Sequence, residues 1–510
     1  MDNGNVKLAT IISYSTLIVG TILSLVILPY IINTLGSVEY GLFTLINSII
    51  AYIYLIDMGL GSAIVRYNSK YLAKNDFEGL KSLNGMFLII YGCMSLIGLL
   101  IGLTIYYNLD FIFNRGLTKL EIEMTKGMFL IALINIVTSF PLSIFTGIIT
   151  AHERFVFLKV LTAIRTILNP ILMLTVLTSG YDAIGIIIAS TIFNIILGLI
   201  NVFYSFSVLK IKFVFKKIEV QLFKEIVKYS FYVFLGVLAY NIFWSTDLFV
   251  IGIYVSASSI AIYSVGSQLN GYFTNFSKII SSMFLPRLTK LNAINKNDRE
   301  TMELLIKVSR IQFFISFFML IGFILVGKQF ILIWTNEEYY LAYYIALIIM
   351  VSQVFSIIQA LFAPMLEALN KHKIKSLIYL AVAFINLILT LILVQIWGII
   401  GSAIGTAIGM FINAIANNIY YTISLKLDMK YYWLQVLKLL FPSIVAWLLG
   451  YSLTKIIIIN SYLSLGIFIS IFSFLYLLVF WYTGFNSFEK SIIKSPFRKG
   501  KENIFTIVKR

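Results

Sequence analysis

Four charged side chains lie within long apolar stretches of the sequence, and they are the first candidates for chemistry. Asp57, Arg165, Asp247 and Lys278 each fall in a stretch long enough to cross a membrane. A charge placed in hydrocarbon is costly, so an ionisable residue at such a depth indicates binding of a substrate or an ion. These residues are therefore candidate binding residues.

A polar stripe surrounds Lys278 on its predicted helix. The stripe consists of Ser264, Gln268, Gly271, Asn275, Lys278 and Ser282. Steps of three and four place these residues on one helix face. A polar face cannot be exposed to lipid cheaply, so the stripe is predicted to line a cleft or a wet cavity. Gln268, Asn275 and Lys278 are its candidate substrate-binding side chains.

At about 1.5 Å of rise per residue, Asp57, Arg165 and Lys278 all fall in the cytoplasmic third of the membrane. One hypothesis is an inward-facing charged cluster, in which Lys278 and Arg165 meet an anionic headgroup. Asp57 would then hold the two cations or bind a coupling cation. The alternative is that these residues snorkel or form structural ion pairs, because they lie only about two helical turns from the boundary.

Two further residues, Asp247 and Arg66, each have two alternative roles. Asp247 is shallower in its span and is either a proton or sodium site or a hydrogen-bonded buried carboxylate. Arg66 lies at the interface and is either a binding residue or a solvated one.

Catalytic chemistry has little support in the sequence. The chain has one cysteine and two histidines, and no metal-ligand cluster or nucleophile elbow is present. The run Gly322–Lys328 fits a phosphate-loop spacing, but Gln329 follows where Ser or Thr is required to hold magnesium. We predict no catalytic residue, no metal and no cofactor. Transport would be driven by an ion gradient, the membrane potential or the gradient of the substrate.

The elements that position these residues are membrane-spanning helices. The chain is 60% hydrophobic and 12% charged, with a mean hydropathy of +0.95. Since a crossing needs about 20 apolar residues, we predict an all-α integral membrane protein with about fourteen transmembrane helices. The predicted spans are 8–32, 41–62, 83–107, 127–150, 161–179, 184–209, 229–254, 259–284, 311–334, 341–366, 376–396, 398–424, 434–458 and 463–482.

The net charge of +17 is a topology signal. Basic residues concentrate in alternate segments between the spans, as the positive-inside rule requires. Both termini are therefore predicted to be cytoplasmic, in a multi-pass membrane protein. The same distribution argues against a nucleic-acid partner and favours contact with membrane lipids.

Two pairs of similar segments indicate an internal repeat. Residues 35–45 resemble 255–265, and residues 181–185 resemble 397–401, at nearly equal offsets. Such an offset equals six spans, so the halves share one orientation and are related by a pseudo-twofold axis along the membrane normal. We predict an N-lobe at 1–209, a basic linker at 210–228, a C-lobe at 229–425, two extra spans at 426–482 and a basic tail at 483–510. The linker is predicted to be an amphipathic segment on the cytoplasmic leaflet.

Several short motifs resemble bacterial polysaccharide repeat-unit flippases. They comprise Gly36–Phe43, Leu55–Ala63 with Arg66, Asp247–Gly252 with Ala261–Ser264, Leu285–Pro286, and Leu369–Lys371 through Trp397–Gly401. Relatives of these flippases include the lipid II flippases and the multidrug and toxic-compound extruders. The motifs occur in order along the first twelve spans.

The resemblance implies a V-shaped pair of six-helix lobes that works by alternating access. The implied cargo is an undecaprenyl-pyrophosphate-linked oligosaccharide, moved from the inner to the outer leaflet, with other polysaccharide assembly proteins as possible partners. The uncharged first span, Leu8–Val38, departs from the lipid II flippases and favours an O-antigen, capsule or teichoic-type unit. The alternatives are an ion-coupled multidrug exporter and a membrane glycan polymerase or ligase.

Overall fold

The structure is a computed structural model, which describes the backbone of residues 3–57, 59–215, 220–294, 298–369 and 372–494. Within these ranges, the side chains of residues 3–7, 232, 276–283, 285–294, 298, 367–368, 372 and 492–494 lie outside the description. The described residues are nearly all helical and include no strand. The predicted all-α class is thus confirmed.

The first part of the described chain forms long helices, with one 3-10 turn at Tyr54–Asp57. They are α1 (Asn3–Ile53), α2 (Leu60–Ala73), α3 (Phe77–Phe113), α4 (Lys119–Ala151), α5 (Phe155–Thr178), α6 (Ala183–Ser207), α7 (Val220–Trp244), α8 (Thr246–Tyr254) and α9 (Ala257–Ile294).

The second part continues in the same way, with a 3-10 turn at Glu337–Tyr339 and a π-helical turn at Phe480–Gly484. Its helices are α10 (Asp298–Trp334), α11 (Tyr340–Ile358), α12 (Phe362–Ala368), α13 (His372–Leu425), α14 (Met429–Leu437), α15 (Leu440–Ile456), α16 (Tyr462–Val479) and α17 (Ser487–Lys494).

By length and composition, eleven helical segments in the described residues can cross a membrane. Two of them, Leu8–Ala73 and Lys373–Leu425, each contain two predicted spans. The predicted span 259–284 lies in α9, whose side chains are only partly described. The predicted spans therefore fall on helical segments, although spans 41–62, 229–254, 341–366 and 434–458 are each divided between two helices. The chain is a multi-pass membrane protein.

Glycines separate the predicted spans that are joined in one long helix. Gly36 interrupts α1 with φ 74° and Gly398 interrupts α13 with φ 57°. A residue without Cβ adopts this left-handed backbone at little cost, which lets the chain turn from one span into the next. Both positions match the boundaries predicted between the paired spans.

The chain packs into two compact units. One comprises the residues up to Ser264 together with Ala383–Ser402, and the other comprises Val265–Val382 together with the residues from Ala403 onward. These divisions differ from the predicted lobes 1–209 and 229–425, which describe a sequence repeat and stay a prediction.

Two repeat-related segments meet inside the first unit. Ser37 donates a hydrogen bond to Ser258 over 3.3 Å, and Ser264 donates to Tyr40 over 3.4 Å. Gly41 lies against the backbone of Ala257, so a larger side chain there would displace one of the two helices. The second half of α1 therefore packs closely on the start of α9.

The predicted linker 210–228 is divided in the structure. Residues 211–215 are not helical, and the Val214 N–H donates to the Lys81 carbonyl over 3.1 Å. Residues 220–228 already belong to α7. The described start of the linker is therefore attached to α3.

Candidate functional site

Asp57 lies where the second predicted span loses its α-helical geometry. The helix α1 ends at Ile53, a 3-10 turn covers Tyr54–Asp57, and α2 begins after Gly59. Gly59 has φ 71°, and a Cβ at this position would collide with Val233 of α7. Glycine is therefore required at position 59, because the backbone there is left-handed and because α7 approaches closely.

The Asp57 carboxylate is held by neutral donors. The buried Tyr91 hydroxyl of α3 donates to Asp57 Oδ1 over 2.6 Å, and the backbone N–H groups of Gly59 and Gly61 also donate to the carboxylate. Asp57 itself is only half-buried. The carboxylate is therefore held by several hydrogen bonds in a residue that is not fully enclosed.

Asp247 occupies a second interruption in the same unit. The helix α7 ends at Trp244 and α8 begins at Thr246, which places Asp247 in the first turn of α8. The side chain is 3% exposed. A carboxylate in the first turn of a helix is stabilised by the helix dipole.

Two hydroxyl groups contact Asp247, and an amide group lies beside one of them. The Tyr263 hydroxyl donates to Oδ2, and the Thr390 hydroxyl lies 3.1 Å from Oδ1. Thr390 Oγ1 also lies 3.2 Å from Asn386 Oδ1, and the Asn386 amide donates to the Phe243 carbonyl. Together these groups form a buried, oxygen-rich cluster on α8, α9 and α13.

A hydroxyl contact connects α8 to the second half of α1. Tyr52 of α1 forms a hydrogen bond with Thr246, the residue before Asp247. Thr246 in turn donates to the Ile242 carbonyl of α7 over 2.6 Å. Since α7 also contacts Gly59, the two interrupted regions are packed on a common helix.

The predicted basic residues of the first unit are exposed. The Arg66 guanidinium carbon lies 4.7 Å from the centre of the Tyr229 ring, a cation–π contact between α2 and α7. Arg165 lies on the exposed surface of α5. Among the described residues, no ion pair joins Arg165 to Asp57.

The polar stripe on α9 is partly described. The Gln268 amide donates to the Tyr272 hydroxyl over 2.7 Å, and Asn275 is exposed. The side chain of Lys278 lies outside the described residues. The predicted cluster of Asp57, Arg165 and Lys278 therefore stays a prediction.

Sequence analysis missed the residues that hold the carboxylates. Tyr91, Tyr263 and Thr390 were not selected, although Thr390 follows Asn386 by four residues and shares its helix face. It also missed a buried ion pair between Arg310 and Glu489 in the second unit.

The chain belongs to the family of polysaccharide biosynthesis proteins, whose family model matches residues 8–292. A search of curated proteins gave no match.

Solved structures share the fold. The lipid II flippase MurJ in an inward closed conformation is 20% identical, with 96% of this chain and 99% of that chain covered at a TM-score of 0.74. An inward-facing multidrug resistance MATE transporter of the MOP superfamily is 14% identical, with 80% and 94% covered at 0.66. The Vibrio cholerae MATE transporter VcmN in its bent form is 16% identical, with 85% and 98% covered at 0.53. The predicted resemblance to this superfamily is confirmed.

Proposed function

We propose that this protein is a flippase for undecaprenyl-pyrophosphate-linked oligosaccharide repeat units. It would move them from the inner to the outer leaflet of the bacterial cytoplasmic membrane by alternating access, for the synthesis of a cell-surface polysaccharide. The observation that carries this proposal is membership of the polysaccharide biosynthesis family in a chain with the fold of solved membrane transporters. Both termini would lie in the cytoplasm, as the basic segments indicate.

A lipid-linked oligosaccharide could contact the polar side chains that lie on the apolar helices. The lipid tail stays in the bilayer while the sugar and pyrophosphate cross. The exposed guanidinium groups of Arg66 and Arg165 are able to bind phosphate oxygens, because Arg presents several donors in one plane. Asp57, Gln268, Asn275 and Lys278 are the remaining candidates for contact with substrate.

Asp247 is the candidate for a coupling ion, either a proton or sodium. Its carboxylate, the Thr390 hydroxyl and the Asn386 amide oxygen lie together in a buried cluster. Hard cations prefer such oxygen ligands, and a buried carboxylate also accepts a proton readily. Ion binding would shift the balance between two conformations only if the cluster differs between them.

Leaflet-resolved analysis of lipid-linked glycan tests the proposal. In a bacterium that makes the glycan and has no redundant flippase, deletion of the gene should trap undecaprenyl-linked oligosaccharide on the cytoplasmic face. The wild-type chain should release it, whereas variants with Arg66→Gln and Arg165→Gln should release it more slowly. Absence of any build-up after deletion would contradict the flippase function.

The similarity of the fold to multidrug transporters supports a second candidate function. An ion-coupled drug exporter would lower the intracellular level of cationic dyes and leave the glycan unaffected by deletion. Dye accumulation measured in the same deletion strain separates the two functions.

A further inference from the structure

A cavity of about 450 Å³ lies within the second unit, between α10, α14 and the turn that follows α16. Its volume falls in the range of small-molecule sites, about 300–1,000 Å³. Three basic side chains line it, namely Lys307, Arg310 and Lys438, together with one acid, Glu303. The cavity is distinct from the carboxylates of the first unit.

Arg310 forms a fixed wall of this cavity. Its guanidinium donates to both carboxylate oxygens of Glu489, at 2.5 Å and 3.0 Å. It also donates to the carbonyls of Gln435 and Gly484, at 2.9 Å and 2.8 Å. These bonds join α10, α14, the turn after α16 and α17, so the cavity keeps its shape.

Two ammonium groups supply the remaining positive charge. Lys438 is exposed and donates to Gln435 Oε1 over 3.0 Å, which uses one of its three N–H donors. Lys307 is half-buried, and its Nζ lies 5.4 Å from the centre of the Phe488 ring. Glu303, the acid in the lining, lies 3.6 Å from the guanidinium of Arg299. The lining therefore favours an anion.

Exposed apolar side chains alternate with the lining residues Tyr431, Gln435 and Lys438 along α14 and continue into α15. Leu434, Leu437 and Phe441 are 57%, 43% and 66% exposed, on α14 and the start of α15. These residues lie at the N-terminal end of the predicted span 434–458, and Lys307 lies just before the same end of the predicted span 311–334. Topology predicted from the basic segments places this end at the cytoplasmic surface.

We propose that this cavity binds a phosphate group at the cytoplasmic membrane surface, carried by the headgroup of an anionic lipid. Lys307 and Lys438 would contact the phosphate, while the exposed leucines and Phe441 would contact the acyl chains. A soluble phosphate compound shares the headgroup chemistry but gains nothing from the apolar residues, so the lipid is favoured. None of the lining residues is a candidate for binding the substrate or the coupling ion, and the bound lipid would be a resident one.

The test is lipid binding by the purified full-length protein. Phosphatidylglycerol and uncharged phosphatidylcholine would each be titrated into the protein in detergent and counted by native mass spectrometry. The variant is Lys307→Gln with Lys438→Gln. The matched control is Lys70→Gln with Lys74→Gln, which removes two exposed lysines at the end of α2. A third protein, with Lys307→Arg and Lys438→Arg, keeps the charge.

We expect the wild type, the α2 control and the double-arginine variant to bind one phosphatidylglycerol with similar affinity. The double-glutamine variant should bind it roughly tenfold more weakly, since each basic residue near a membrane surface contributes appreciably to attraction of anionic lipid. Phosphatidylcholine should bind much more weakly to all four proteins.

Inorganic phosphate distinguishes the two sources of the ligand. If millimolar phosphate raises the melting temperature of the wild type but not of the double-glutamine variant, and phosphatidylglycerol binds both equally, the site takes a soluble phosphate and the lipid assignment is wrong. Equal loss of phosphatidylglycerol binding in the cavity variant and the α2 control would mean that the effect comes from general surface charge. Equal loss in both variants, or no loss in either, would show that the cavity does not bind a phosphate group.

Discussion

Carboxylates are buried in both units of the protein, but their partners differ. In the second unit, Glu489 is 5% exposed and forms a two-pronged ion pair with Arg310. In the first unit, Asp57 and Asp247 accept hydrogen bonds from tyrosine hydroxyls at interruptions between helices. An arginine balances the charge of Glu489 within the fold, whereas the hydrogen-bond partners described for Asp57 and Asp247 include uncharged hydroxyl groups.

The difference separates a structural acid from two candidate functional acids. Arg310 connects α10 to α14 and α17, so loss of its charge should loosen the second unit. Asp57 and Asp247 lie beside helix ends, where the backbone of a transporter is able to change conformation. Loss of their charge should therefore alter transport more than stability.

The largest effect is expected for Arg310→Gln. This substitution leaves Glu489 buried without its cation, and breaking a buried ion pair in this way costs about 3–5 kcal/mol of unfolding free energy. Thermal unfolding of the detergent-solubilised protein measures the loss. The double variant Arg310→Met with Glu489→Leu should recover much of it. If Arg310→Gln unfolds at the wild-type melting temperature, Glu489 is not a structural acid and the contrast between the two units does not hold.

Asp247→Asn is expected to reduce transport by roughly 5- to 150-fold, the range of typical coupling between two binding sites. The amide keeps acceptor and donor capacity in the cluster but cannot carry the charge of a coupling ion. Leaflet-resolved glycan release measures the effect. Asp110→Asn, at an exposed carboxylate paired with Lys126, is the control and should transport normally. Normal transport by Asp247→Asn would make Asp247 a structural acid like Glu489.

Gly59→Ala should destabilise the first unit by about 1–2 kcal/mol, because a left-handed backbone is unfavourable for residues that carry a Cβ. The contact with Val233 adds to this cost. Gly92→Ala is the matched control, since Gly92 lies inside α3 with open space around it, and it should be neutral or slightly stabilising. Equal melting temperatures for the two variants would show that the interruption after Asp57 is not specified by glycine.

The smallest effect is expected for Asp57→Asn. Because one amide oxygen remains to accept from Tyr91 or from the backbone N–H groups of Gly59 and Gly61, stability should fall less than in Tyr91→Phe, whereas transport should fall about fivefold, the lower end of typical coupling. Tyr91→Phe is the complementary variant and should lower the melting temperature by removing the hydroxyl donor. If Asp57→Asn unfolds as easily as Tyr91→Phe, then Asp57 serves packing and the proposed binding role fails.

Much of the fold was predictable because membrane spans leave local signals. Length of apolar stretches located every span, and the glycines at positions 36 and 398 separate spans that share one helix. The partners of the acids were not predictable. Tyr91 is 34 residues from Asp57, and Glu489 is 179 residues from Arg310. Such contacts depend on which helix faces pack together, and no local pattern records that.

The intramembrane acids themselves were found because charge in an apolar stretch is conspicuous. In the sequence, Arg310 resembles the other basic residues at a predicted cytoplasmic boundary. Glu489 resembles the other charged residues of the predicted tail. Their burial follows from the position of α17, a short helix that sequence reasoning left inside the predicted tail 483–510. The sequence signal for a structural ion pair was therefore the same as that for a solvated surface.

The most direct test of the flippase proposal is glycan flipping in liposomes that contain only the purified chain. A labelled undecaprenyl-pyrophosphate oligosaccharide would be placed in both leaflets, and its exposure to an externally added glycosidase would be followed with and without an ion gradient. We predict that the wild type exposes the inner pool with a rate that the gradient increases, and that Asp247→Asn loses this increase. An inner pool that stays as protected as in protein-free liposomes would contradict the proposed function.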